Sequence, residues 1–120
     1  MSNSMLERRK SLPGTDLSRF LNPRGVAVVG VSNEVSRIGG QALTLLTDFG
    51  YQGRIYPVNP KYSEVRGLTC YPDVALVPQP CDVALIALAA HQVPGAIEQC
   101  GNAGIPFALV LSSGFSEIGG

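Results

Sequence analysis

Short apolar runs recur along this chain, each followed by a polar or glycine-containing break and then by a stretch with helical spacing. The runs at Val26–Val31, Arg54–Val58, Cys81–Ala90 and Phe107–Leu111 have the length of strands, and the third is apolar almost throughout, as a central buried strand should be. Between them, Ala42, Leu45, Leu46 and Phe49 fall on one face of a helix over Gly40–Phe49, with Gln41, Thr44, Thr47 and Asp48 mostly opposite. Gly50 stands where a C-terminal glycine cap belongs. A second helix over Val93–Gly104 places Val93, Ala96, Ile97 and Cys100 together, with Pro94 suited to its first position and Gly104 closing it.

Strand and helix therefore alternate, which predicts right-handed crossovers and a mainly parallel sheet covered on both faces, a Rossmann-like three-layer α/β/α domain. With the direction of winding reversing after the first strand, the expected spatial order is 3-2-1-4-5. The third strand is the least regular, a short edge strand at Leu68–Tyr71, followed by one helical turn at Asp73–Leu76 and the breakers Pro78 and Pro80. Residues 1–14 read as a polar, disordered leader closed by Pro13 and Gly14, and residues 15–120 as the domain. Asp16 is placed to cap a short helix carrying Leu17, Phe20 and Leu21, which Asn22 and Pro23 end. After Phe115 a further helix-like segment opens, so the pattern reads as a unit truncated from a longer polypeptide.

Candidate chemistry concentrates in Gly25–Gly40, GVAVVGVSNEVSRIGG. An apolar strand breaks at Gly30, passes through a polar loop containing Ser32, Asn33 and Arg37, and closes on Gly39 and Gly40 at a helix start. A helix start presents backbone N–H groups and the positive end of the macrodipole, a setting for an anion such as a pyrophosphate. The loop departs from the NAD fingerprint, which packs G-x-G-x-x-G into a short turn and carries an acid about 20 residues further on. Here the second strand ends in Asn59, Pro60 and Lys61. Pro60 fixes the backbone so that Lys61 projects from the carboxyl end of the strand, where it can pair with a phosphate. The ligand class is an adenine nucleotide with an extra phosphate, coenzyme A or NADP.

Composition narrows the partners. Charged residues make up 15% and apolar ones 45%, and nine basic residues cancel nine acidic ones, so nothing marks a nucleic-acid surface. No apolar run reaches the roughly 20 residues a membrane-spanning helix needs, and the N-terminus lacks a signal-peptide core, which makes a cytoplasmic protein the expectation. Cys70, Cys81 and Cys100 have no C-x-x-C spacing and read as small core residues. His91 sits before a helix, and Glu34, Asp82 and Glu98 form no acid/base pair or metal cluster, so no catalytic or metal-binding residue is assigned.

Taken together, Asn22–Ser32, Ile38-Gly39-Gly40 and Ile55–Lys61 resemble the CoA-binding domain of NDP-forming acyl-CoA synthetases, relatives of the succinyl-CoA synthetase α subunit. A similar domain occurs in some bacterial protein lysine acetyltransferases. Gly67–Pro72, Cys81–Leu88, Gly101–Gly104 and Ser112–Phe115 match as well, so the likeness covers about residues 17 to 119. The resemblance implies that Gly30, Ser32, Asn33, Arg37, Gly39 and Gly40 hold CoA phosphates. It further implies that Val58, Asn59, Pro60 and Lys61 flank the adenosine, with Lys61 at its 3′-phosphate, and that Ala87, Leu88 and Ala89 lie near the adenine. Ser112, Ser113 and Gly114 would line the pantetheine path. The family often has proline where this chain has Ala89. Its phosphorylated histidine lies in a later domain, which His91 does not match, and the resemblance implies an ATP-grasp domain or subunit as partner. Three readings follow: the CoA-binding domain of an acyl-CoA synthetase, a regulatory or freestanding CoA-binding domain, and an NADP-binding oxidoreductase module.

Overall fold

In the computed structural model of the chain, residues 17–34 and 37–111 are described. The first strand, β1 (Gly25–Val29), is buried along its whole length because it is flanked on both sides, as its unbroken apolar sequence requires. It pairs in parallel with β2 (Arg54–Val58), Gly25 opposite Arg54 and Val29 opposite Val58. On its other side lies β5 (Val83–Ile86), which pairs in turn with β6 (Phe107–Val110), again in parallel. The sheet order is β2-β1-β5-β6.

The period-two alternation of β1 divides the core. Ala27 and Val29 face one side with Val58, Ala84, Ile86, Ala96 and Cys100, whereas Val28 faces the other with Val31, Ala42, Leu43, Val65 and Cys70. Helix α2 (Ile38–Asp48) covers the second side and α3 (Val93–Asn102) contributes Ala96 and Cys100 to the first, giving the three layers read from the sequence. A short α1 (Ser18–Leu21) precedes the sheet and brings Phe20 against Phe107, ring centroids 5.4 Å apart. Asp16, the expected cap of this helix, lies outside the described residues.

Three details differ from the sequence reading. The expected third strand splits: β4 (Leu68–Thr69) pairs antiparallel with β3 (Glu64–Val65), and only Tyr71 joins the main sheet, as a single parallel bridge to Val58. Arg66 and Gly67 both have positive φ, 51° and 83°, the geometry of a two-residue hairpin turn. Both backbone groups of Tyr71 are spent on this bridge, and the chain then turns away into a 3₁₀ turn at Val74–Leu76. The expected 3-2-1-4-5 order is therefore present with its third place reduced to one residue. The long Cys81–Ala90 run is strand only over Val83–Ile86, because the chain leaves the sheet edge at Ala87 and enters a short 3₁₀ turn, Ala90–Gln92. On α2, Leu43 is fully buried whereas Leu45 and Phe49 are 58% and 82% exposed. The buried face is rotated toward Ala42 and Leu43, and an apolar groove opens between Leu45 and Leu46 of α2 and Leu85, Leu109 and Leu111 of the sheet.

At the amino edge of the sheet, Asp82 is 2% exposed and accepts three hydrogen bonds from Arg24, one from its backbone N–H. Burial pushes the Cys81 thiol up to about 11 and raises Cys70 and Cys100 as well, in keeping with cysteines that pack as core residues.

Candidate functional site

At the end of β1 the chain turns at Gly30, whose φ of 88° suits glycine. The N–H groups of Gly30 and Val31 both donate to the Val58 carbonyl, at 2.9 and 3.3 Å, which roots the loop on the end of β2. Val31 and Ser32 are buried, and Asn33 and Glu34 are exposed. Ser32 Oγ accepts the Glu34 N–H at 3.0 Å, leaving its own O–H as a donor. The described chain resumes at Arg37, whose N–H donates to the Glu34 carbonyl at 3.1 Å.

Helix α2 then begins with Ile38, Gly39 and Gly40. A Cβ on Gly39 would overlap the Gly30 carbonyl, and one on Gly40 would overlap the Glu34 carbonyl. The glycine pair is thus required by the loop folding back onto the first turn of the helix. That turn carries no acidic residue, and among the described residues no side chain caps its amides. Main-chain N–H groups and the positive end of the dipole face the loop, which is the chemistry a polyphosphate needs.

The second component is the turn after β2. Asn59 Nδ2 donates to the Val31 carbonyl at 2.8 Å, and the Lys61 N–H donates to Asn59 Oδ1, also at 2.8 Å. Lys61 is exposed at this turn, and Pro60 beside it is exposed as well. The Val58 side chain is in the core, 4% exposed, so what Val58 offers the loop is its carbonyl. Ala87, after β5, donates its N–H to Val29 at 2.8 Å, and its carbonyl lies against Gly30. Leu88 is half-buried at the same place and Ala89 is exposed. Ser112, Ser113 and Gly114 lie outside the described residues.

The carboxyl edge of the sheet therefore gathers the Gly30 turn, Ser32, Asn59, Lys61 and Ala87, drawn from the ends of three strands. Arg37 was singled out in the sequence but its ion pair was not. Its Nε donates to Glu34 Oε2 at 2.6 Å with both side chains exposed, and the hydrogen bond together with the opposite charge raises the guanidinium pKa. The i, i+3 spacing of Glu34 and Arg37 was the available signal. His91 is exposed in the 3₁₀ turn, and among the described residues no group of His, Cys, Asp and Glu could hold a metal ion.

A parallel sheet whose first strand turns through glycine onto a glycine-rich helix start defines a nucleotide-binding α/β domain. Residues 24–117 match the model of the CoA binding domain, so the chain belongs to that family and coenzyme A is its cofactor. An ADP-forming acetate–CoA ligase of Archaeoglobus fulgidus is 40% identical over 103 residues, covering 86% of this chain and 15% of the ligase. The α subunit of an ADP-forming acetate–CoA ligase of Pyrococcus furiosus is 38% identical over 107 residues, 86% of this chain and 23% of that subunit. Among solved structures, dinucleotide-forming acetyl-coenzyme A synthetase 1 of Candidatus Korarchaeum cryptofilum, in complex with phosphate and ADP, superposes with a TM-score of 0.79 at 48% identity. That match covers 87% of this chain and 22% of the synthetase. The chain thus spans less than a quarter of the length of these relatives.

Proposed function

We propose that this chain is the coenzyme A-holding domain of an NDP-forming acyl-CoA synthetase, whose complete reaction converts acyl-CoA, NDP and phosphate to acid, NTP and CoA. The observation that carries this reading is the closure of the Gly30 turn over the first turn of α2, at contacts only Gly39 and Gly40 permit. The ADP-forming acetate–CoA ligases among its relatives supply the reaction class.

In this reading the CoA phosphates lie against the loop from Gly30 through Ser32, Asn33 and Arg37 to the amides of Gly39 and Gly40. Lys61 pairs with the 3′-phosphate as an exposed point charge. Pro60 and the Ala87–Ala89 segment flank the adenosine, and Ser112, Ser113 and Gly114 line the pantetheine. These residues bind and orient. The acyl- and phosphoryl-transfer chemistry belongs to further domains or a subunit of ATP-grasp type, working in the cytoplasm.

Calorimetric titration of the 120-residue protein with CoA, dephospho-CoA and NADP tests the reading. CoA binds, and removing either the 3′-phosphate or the Lys61 ammonium by Lys61→Ala weakens binding about tenfold, the worth of one charge-assisted contact. Tight NADP binding without a CoA response would replace the synthetase reading with an oxidoreductase one.

A further inference from the structure

Asn59 uses both ends of its carboxamide on the protein's own main chain. Nδ2 holds the carbonyl of Val31 at the root of the phosphate loop, and Oδ1 holds the N–H of Lys61, each at 2.8 Å. Its backbone is equally occupied: the N–H donates to Tyr71 at 2.9 Å, and the carbonyl accepts the N–H of Tyr62 at 3.3 Å and the thiol of Cys70 at 3.5 Å. Val31, at the far end of the clip, is fully buried and cannot follow a displaced side chain outward. The neighbouring Val58 carbonyl adds the bonds from Gly30 and Val31, so loop and turn share one anchorage.

We propose that Asn59 is a positioning residue with two separable roles: through Oδ1 it directs Lys61 and thereby selects nucleotides that carry a 3′-phosphate, and through Nδ2 it holds the phosphate loop against the same turn, which supports binding of any nucleotide. The resemblance sets Asn59 beside the adenosine; its hydrogen bonds give it a route to act through Lys61 as well. A short side chain bonded to the amide two residues on fixes the turn geometry, so the direction in which Lys61 leaves the backbone is determined by Asn59. The inference rests on the CoA reading for the identity of the ligand, but the clip itself can be observed without one.

The test combines amide hydrogen exchange of the free protein with titrations of CoA and dephospho-CoA, using Asn59→Ala, Asn59→Ser, Lys61→Ala and the Asn59→Ala/Lys61→Ala pair. In the wild type the Lys61 amide is protected; Asn59→Ala abolishes that protection and leaves the amides of β1 and β5 unchanged. The preference for CoA over dephospho-CoA falls about tenfold in Asn59→Ala, as in Lys61→Ala, and falls no further when the two are combined. Serine supplies an acceptor for the Lys61 N–H but is too short to reach Val31. Asn59→Ser therefore restores the preference while binding both ligands more weakly.

An unprotected Lys61 amide in the wild type overturns the clip. An equal loss of affinity for both ligands in Asn59→Ala, with their ratio intact, overturns the selective role, and so does a lowered ratio in folded Asn59→Ser, which serves if the alanine variant does not fold. Absence of CoA binding by a wild type whose Lys61 amide is protected overturns the CoA reading and the selective role with it, and leaves the clip standing.

Discussion

The guanidinium of Arg24 meets the carboxylate of Asp82 in a fork, Nη2 to Oδ1 at 2.8 Å and Nε to Oδ2 at 3.0 Å, while the Arg24 backbone N–H adds a third bond at 2.8 Å. The two residues lie 58 positions apart and join the starts of β1 and β5 at the edge of the sheet opposite the glycine turn. Asp82→Ala leaves the Arg24 N–H without its acceptor in a nearly closed site and is expected to cost about 1–3 kcal/mol, measured by urea unfolding. CoA affinity of the folded variant should be unchanged.

The same pair gives a signed pH dependence. The Arg24 hydrogen bonds hold the Asp82 carboxyl below the usual carboxylate range, more than offsetting its burial. Because the folded-state pKa is lowered, the contribution of Asp82 is fully present above its unfolded value of about 3.9 and is lost as pH falls through the folded value. Urea midpoints measured between pH 6 and pH 2 should fall more steeply for the wild type than for Asp82→Asn, with the difference confined to the acid end.

Glu34 competes with any phosphate for Arg37, since the two side chains are paired at 2.6 Å on the exposed loop. Removing the acid with Glu34→Gln should tighten CoA binding by up to a few-fold at low salt, and the gain should shrink as ionic strength rises. It should vanish in an Arg37→Ala background. Tightening that survives without Arg37 would mean that Glu34 acts by direct repulsion of the ligand.

Leu43 and Phe49 separate the two faces of α2. Leu43 is fully buried, so Leu43→Ala should cost about 2–5 kcal/mol, whereas Phe49→Ala at an exposed position should fall within about 0.5 kcal/mol of wild type. Thermal or urea unfolding of the two variants decides it. Equal losses would place Phe49 in a packed environment.

The strands and the glycine turn were legible because their signals are local. Val26–Val29 is an unbroken apolar run, and Gly30, Gly39 and Gly40 stand where a strand hands over to a helix. The orientation of α2 was less so: leucines at 43, 45 and 46 give it two apolar faces, and only packing against Val28 and Val65 decides that Leu43 goes inside. The β3–β4 hairpin was missed because Arg66 adopts positive φ without being one of the residues that advertise such a turn. Asp82 looked isolated, since its partner is distant in sequence. At the candidate site, Asn59 was singled out and its bonds were not, because an asparagine that faces a ligand and one that ties two loops together have the same sequence.

Gly39 and Gly40 put two positions without side chains into the first turn of α2, and the loop opposite meets them with the carbonyls of Gly30 and Glu34. A turn built this way has little that truncation can remove, so shortening the side chains around it tests it poorly. The informative substitution is an addition: the methyl group of Gly39→Ala, where the Gly30 carbonyl already occupies the space, should push loop and helix apart. For a surface of this kind, tolerance to mutation is a measure of empty volume rather than of importance.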